Sequence, residues 1–245
     1  MIRSLLILAA VTAGFSLAGM AVPKITEDAF PTAAGELKIF FIGHASLYMT
    51  VGGKVIHVDP VASEGDYSSF PKADLILVTH DHSDHLDPAT IQLLRRAGTD
   101  VVVSPSCAGR VPDAVVMKNG ERRAFQGFEV DAVPAYNILH KRPDGSPFHP
   151  KGQGDGFVIA IGGKRIYIAG DTENIPEMAS LENIDIAFLP MNLPYTMTPE
   201  MTADAARMIR PKILYPYHYG NTDPERLVKL LSGEKGIEVR VRPMS

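Results

Sequence analysis

Leu75–Leu86 reads LILVTHDHSDHL, and no other stretch constrains the chain so tightly. Its first half, Leu75 to Thr79, is a continuous apolar run, the pattern of a strand buried on both faces. Its second half packs His80, His82, Asp84 and His85 into six positions. Imidazole and carboxylate are ligands that zinc and similar first-row ions take. His80 and His82, two apart in extended chain, project the same way and can grip one ion. Asp84 and His85 follow as the chain turns toward a helix and can face a second ion beside the first. Asp87 as N-cap and Pro88 in the first turn open that helix, Ala89 to Arg96. The bland alternative is a polar turn that happens to contain histidine. It does not account for three imidazoles and a carboxylate directly after a buried strand.

On the N-terminal side, Leu37 to Val51 is strand-like. Gly52-Gly53 then supplies the positive φ angles of a tight hairpin turn, and Lys54 to Asp59 returns as a strand closed by Pro60. On the C-terminal side, Val101 to Ser104 is a buried strand. Val115 to Val133 alternates around Asn119-Gly120 and Gln126-Gly127 as a β-meander. Ala135 to Gly156 is rich in Pro, Gly, His and Lys, and a patternless segment that long is usually functional or disordered. Phe157 to Ile161 and Arg165 to Ala169 flank a second Gly-Gly turn, Gly162-Gly163. Ile184 to Leu189, Ile213 to Tyr217 and Val239 to Val241 read as strands. Pro199 to Ile209 and Pro224 to Leu231 read as helices with proline in the first turn. VGGKVIHVD (Val51 to Asp59) is echoed by IGGKRIYIAGD (Ile161 to Asp171). In both, a Gly-Gly hairpin feeds an apolar strand that ends in aspartate. The echo suggests two similar halves within one domain, since no linker of distinct composition separates them.

The 245 residues are 45% hydrophobic and 21% charged, a globular composition, with a formal net charge of −4 and no Trp. An acidic chain without Trp is a poor binder of nucleic acid, which is recognised by phosphate neutralisation and aromatic stacking. A single cysteine, Cys107, excludes both an internal disulfide and a cysteine-rich zinc site. It reads as a small buried hydrophobe. The opening MIRSLLILAAVTAGFSLAGMAVP has a positive start, an apolar middle and small residues at Gly19 and Ala21. That is the three-part pattern of a secretory signal at residues 1–21, leaving 22–245 as the mature domain. The apolar stretch is short against the ~20 residues of a spanning helix. The expectation is a periplasmic or secreted protein with no stable membrane span after cleavage. An uncleaved leader acting as an anchor is the alternative.

The cluster at His80 to His85 cannot fill two coordination shells, so further ligands must come from His44, His57, His140, His149, His218 or strand-end aspartates such as Asp171. The order of THDHSDH after a strand, a loop histidine, a strand ending in AGDT and a strand ending in PYHYG resembles the metallo-β-lactamase-fold metallohydrolases. FIGHAS and the later DP look like the branch that contains the bacterial ascorbate-6-phosphate lactonases and the phospholipase D-type enzymes acting on N-acyl phosphatidylethanolamine. The resemblance covers nearly the whole chain after the leader. It implies an α/β fold, a four-layer αβ/βα sandwich.

The resemblance further implies that His80, His82 and a loop histidine hold one metal, that Asp84, His85 and His218 hold a second, and that Asp171 bridges them. The loop histidine is taken as His149 rather than His140, because flanking prolines fix its backbone. The GHTxG form of that motif is absent. The cofactors implied are two divalent ions, zinc first, with manganese and iron as alternatives. The implied activity is hydrolysis of an ester, lactone or phosphodiester by hydroxide generated between the ions, with Asp84 and Asp171 as catalytic carboxylates. His44, Tyr195 and Tyr219 are candidate proton donors, and His44 is otherwise a core or supporting histidine. His57 is read as structural or exposed, and Asp59 as a turn residue or the orienter of a ligand histidine. Lys141, Arg142 and Lys151 suggest a small anionic substrate, with solvated surface charge as the alternative. A metal-binding protein without turnover is the competing function. Oligomeric state is left open.

Overall fold

The computed structural model describes residues 25–245, so the leader assigned to residues 1–21 lies outside the described residues. Two seven-stranded sheets make up the fold. The first runs β1 (Thr26–Thr32), β2 (Gly35–Gly43), β3 (Ser46–Val51), β4 (Lys54–Val58), β5 (Leu75–Val78), β6 (Asp100–Val103) and β7 (Val115–Val116), in that spatial order. The second contains β8 (Arg122–Phe125), β9 (Phe128–Ala135), β10 (Gly154–Ile161), β11 (Lys164–Ile168), β12 (Ile186–Pro190), β13 (Ile213–Tyr217) and β14 (Glu238–Val239), again in order. Helix α1 (Pro88–Leu94) follows β5, α2 (Pro199–Ile209) follows β12 and α3 (Pro224–Leu231) follows β13. Among the described residues, no helix is long and apolar enough to cross a membrane.

Side-chain alternation sets the layering. On β5, Leu75 and Leu77 join a core shared with the second sheet, while Ile76 and Val78 join a separate core with Ile91 and Leu94 of α1. A strand filled on both faces by apolar residues is thereby sandwiched between a sheet and a helix. Helices α2 and α3 contribute Ala203, Ala206 and Leu227 to the larger core. The two sheets meet through rings such as Phe41, whose centroid lies 5.0 Å from Tyr215 and 6.2 Å from Phe188. This is the expected α/β sandwich of two sheets with outer helices.

The echo between the Gly-Gly hairpins is architectural. β3 pairs antiparallel with β4, which then takes β5 as a parallel neighbour. β10 pairs antiparallel with β11, which takes β12 as a parallel neighbour. Asp59 and Asp171 follow the corresponding strands β4 and β11.

Several local expectations are corrected. Leu37 to Val51 is not one strand: it breaks at His44-Ala45 into the antiparallel pair β2 and β3. The sequence FIGHAS carries no two-residue turn signal, yet His44 itself adopts a left-handed φ of 49° and makes the turn. The Val115 to Val133 meander is divided, β7 ending the first sheet and β8 with β9 starting the second. The helix after Asp87 spans Pro88–Leu94, the last strand is Glu238–Val239, and β10 begins at Gly154, inside the segment expected to be loop. β1, TEDAFPT, was not anticipated because a polar run with proline has little strand character. His57 is fully buried, not exposed. Its Nε2 lies 3.0 Å from the Pro71 carbonyl, and burial pushes its pKa down to about 4.

Candidate metal centre

The loop after β5 is held at its root by Asp59, which is fully buried with φ 43°. Its carboxylate accepts hydrogen bonds from Thr79 N at 2.8 Å and Thr79 Oγ1 at 2.7 Å, and it lies 2.8 Å from His85 Nδ1. An imidazole N–H directed at a carboxylate fixes the tautomer and leaves Nε2 facing the other way. Of the two readings of Asp59, the orienter of a histidine is the one the geometry supports.

The side chains predicted for the site converge from both sheets. His80, His82, His149 and Asp171 form one group, and His44, Asp84, His85 and His218 form another; within each group the ligand atoms lie within 4.8 Å of one another. Asp171 stands between them. Its Oδ2 is 3.3 Å from His149 Nε2, 3.3 Å from His218 Nε2 and 3.9 Å from His80 Nε2, and its Oδ1 is 3.4 Å from His85 Nε2. Asp84 Oδ2 lies 3.5 Å from His218 Nε2 and 3.2 Å from His44 Nε2. His44 therefore sits within the second group instead of in the core. Its backbone carbonyl accepts the N–H of His218 at 2.9 Å, which joins the β2–β3 turn to the end of β13. His44, Asp59 and His218 all hold left-handed backbone angles, and such strained conformations gather where function over-determines the structure.

His149 and His140 separate clearly. His140 Nδ1 is 2.8 Å from the Glu173 carboxylate and lies outside both groups. His149 is 5% exposed; both its backbone N–H and Nδ1 address Asn137 Oδ1, at 2.9 and 2.6 Å. Asn137 is fixed in turn by Glu173, whose Oε1 accepts from Asn137 Nδ2 at 3.1 Å. The same buried carboxylate accepts backbone N–H groups from Ile138, Leu139 and His140 at 2.8, 2.7 and 2.6 Å. Sequence reasoning missed both Glu173 and Asn137. They lie 36 residues apart, and nothing local marks either one.

The donor chemistry fits a cation. His80 Nε2, His85 Nε2, Asp171 Oδ1 and both ring nitrogens of His218 are buried without a hydrogen-bond partner. With Nδ1 of His149 given to Asn137, its Nε2 is a lone pair, yet it points at Asp171 Oδ2 and lies 3.2 Å from His82 Nδ1. Acceptors facing acceptors in a buried space repel unless a proton or metal ion lies among them. The electrostatics agree. Burial drives His80 well below its ordinary pKa, reinforced by the neighbouring His85. Burial, then the adjacent His149, also lowers His82. Burial works against charge on His85, but Asp171 and Asp59 outweigh it and carry the ring up to about 9. Burial likewise opposes charge on Asp171 and Asp84. For Asp171, His218 and His85 hold the carboxyl well below the usual range; for Asp84, His218 and His44 do the same.

A cleft of about 290 Å³ opens onto this centre, lined by His82, Asp84, His149, Asp171 and His218 together with Arg142, Phe148, Asn192 and Tyr195. The segment between β9 and β10, through Arg142 and Phe148, and the segment after β12, through Asn192 and Tyr195, thus reach it. Of the three basic residues singled out, Arg142 lines the cleft, whereas Lys151 Nζ is paired with Glu177 at 2.7 Å. Tyr195 borders the cleft. Tyr219 is not among the cleft's lining residues, and its hydroxyl donates to the Arg242 carbonyl at 2.9 Å. Cys107 is buried, and burial raises its pKa to about 11, as befits an unreactive packing thiol.

Comparison with known proteins matches this architecture. The family pattern described as the β-lactamase superfamily domain covers residues 38–218. A UPF0173 metal-dependent hydrolase of Pelotomaculum thermopropionicum is 31% identical over 221 residues, spanning 84% of this chain and 96% of that one. A crystal structure from Parabacteroides distasonis, assigned as a metal-dependent hydrolase, superposes with a TM-score of 0.85 at 46% identity, covering 90% of this chain and 100% of that one. Igni18, a metallo hydrolase of Ignicoccus hospitalis, superposes with a TM-score of 0.70 at 25% identity, covering 85% and 96%. The chain belongs to the metallo-β-lactamase superfamily of metal-dependent hydrolases.

Proposed function

We propose that the chain is a dinuclear metallohydrolase that cleaves an ester, lactone or phosphodiester bond in a small anionic substrate. His80, His82 and His149 would hold one divalent ion, Asp84, His85 and His218 the other, with Asp171 shared. The observation that carries this reading is the convergence of both ligand groups on Asp171. Imidazole and carboxylate donors favour zinc and also suit manganese or iron. Bound there, such ions supply Lewis-acid activation of water and neutralise charge that builds on the substrate.

The chain's own residues handle the proton. The Asp84 side chain is 45% exposed and lines the cleft, so it can accept a proton from the attacking water. His44 Nε2, 3.2 Å away, shares that proton and returns it through Asp84 to the leaving oxygen. The water oxygen forms the new bond to carbon or phosphorus, the scissile bond to the leaving oxygen breaks, and the proton count closes. Asp171, almost fully enclosed, orients the imidazoles on either side. A metal-binding protein without turnover is the competing reading; the cleft opening directly onto ligands of both groups supports the enzyme.

Elemental analysis of natively purified protein and of His82→Ala and Asp171→Ala tests the assignment. The wild type should carry two ions and each variant fewer. A screen of lactone, phosphodiester and ester substrates with and without chelator follows. Undiminished metal in the variants, or full activity after chelation, refutes the proposal.

A further inference from the structure

A cavity of about 220 Å³ lies between β9 and the 3₁₀ turn Pro176–Ser180, and it shares no lining residue with the metal cleft. It has room for about seven water molecules at liquid density. Val133, Pro134, Met178 and Leu181 make its walls apolar, and Tyr167 of β11 lines it as well. The Tyr167 ring lies across β10 at Gly156. A Cβ there would stand 3.0 Å from the ring and 2.9 Å from the Ala169 carbonyl oxygen, so glycine is what gives the ring its place. Tyr167 is fully buried, yet its hydroxyl has no hydrogen-bond partner among the described residues, and burial alone pushes its pKa up. Water fills such a space poorly, because a buried molecule needs about three polar partners.

The polar groups at the cavity are short of donors. Ser180 Oγ gives its hydrogen to the Glu177 carbonyl at 2.7 Å, which leaves only lone pairs on that oxygen. The Glu177 carboxylate takes Lys151 Nζ at 2.7 Å and the Tyr136 hydroxyl at 3.0 Å. An ionised carboxylate has about four acceptor sites, so others stay open. Lys151 beside it holds the carboxyl below its usual range and so keeps it charged. The Lys151 side chain is 62% exposed and can swing aside for an incoming cation. The Tyr167 oxygen can accept too. An ammonium, all donor and no acceptor, complements this set, and an apolar body complements the walls.

We propose that this cavity is a second small-molecule site, separate from the metal centre, and that it takes a primary amine carrying an apolar ring. The ring packs against Pro134, Met178 and Tyr167, and the ammonium docks on Glu177 and Ser180. The site does not depend on the hydrolase reading.

The test is calorimetric titration of the zinc-loaded full chain with 2-phenylethylamine, 2-phenylethanol and methylamine. Burial of a ring the size of a Phe side chain should make 2-phenylethylamine roughly 10- to 150-fold tighter than methylamine. A hydrogen bond to an ionised partner is roughly twice as strong as a neutral one, so the amine should bind about 10-fold tighter than the alcohol. Glu177→Gln should erase that advantage while leaving the alcohol's affinity in place. Leu181→Trp, at a half-buried position on the cavity wall, should fill the space and abolish binding of amine and alcohol alike. Should that variant fail to fold, Glu177→Gln decides. A wild type that binds none of the probes, or that binds the alcohol as tightly as the amine, overturns the proposal. So does a Glu177→Gln variant that keeps the full preference for the amine, because the ammonium then sits elsewhere.

Discussion

Replacing Glu173 with Gln should damage the metal centre without touching any predicted ligand. In the native protein, Oε1 accepts from Asn137 Nδ2 and His140 N, and Oε2 accepts from Ile138 N and Leu139 N. Glutamine has nearly the same shape but only one acceptor oxygen. Whichever way its amide turns, an NH₂ group faces two donors. Two N–H groups lose their acceptor, at roughly 1–2 kcal/mol each, so the variant should be about 3 kcal/mol less stable. For a chain of this size that corresponds to roughly 6–12 °C in Tm. The more informative effect is on the metal site proposed at His149. Asn137 fixes that ring through its Oδ1, and Glu173 fixes Asn137. Loss of such an outer partner typically costs about 10- to 100-fold in metal affinity. Competition with a chromophoric chelator should therefore reveal one weakened zinc site and one unchanged. If both sites retain wild-type affinity, His149 does not depend on the Glu173–Asn137 chain and the positioning argument fails.

Two further outcomes follow from particular contacts. His44→Gln should lower kcat by about 100-fold while both ions remain, because His44 is assigned to the proton path; loss of one ion on elemental analysis would make it a ligand instead. Asp155→Asn should change the pH dependence of stability. Asp155 is fully buried, and burial, aided by Glu121 and opposed by the Asn119 side chain, raises its pKa to about 8. A carboxyl with a raised folded-state pKa keeps its full contribution below the unfolded value of 3.8, then loses it as pH rises toward about 8. The wild type should lose stability across that window at up to about 1.4 kcal/mol per pH unit relative to the variant. Parallel urea titrations at pH 5 and 8 measure this, and equal differences at the two pH values would contradict it.

Much of the candidate site was legible because its donor side chains sit at strand ends in a dense motif. LILVTHDHSDHL announced both the buried strand and the donor cluster, and the twin Gly-Gly hairpins announced the repeated strand order. What escaped depends on contacts that no local pattern encodes. The turn at His44 was invisible because a histidine occupies a left-handed position usually given to glycine or asparagine. The Val115–Val133 segment alternates as expected, but period alone cannot say which sheet a strand joins. Glu173 looked like one polar residue after AGDT, since the groups it serves arrive from more than thirty residues upstream. Proline was credited with fixing His149, whereas the hydrogen bonds observed at its backbone and ring come from Asn137.

The junction between the β2–β3 turn and His218 has a mechanical corollary. His80 to His85 ride on one sheet, and Asp171 and His218 ride on the other, so the spacing of the donor atoms reports how the two sheets are aligned. A slide of half an ångström between them would detune every cross-sheet distance at once, since catalytic constellations tolerate little more than that. Packing at Phe41, Phe188 and Tyr215 therefore acts as the gauge block of the reactive centre, and trimming one of those rings should be felt first in metal affinity rather than in loss of fold.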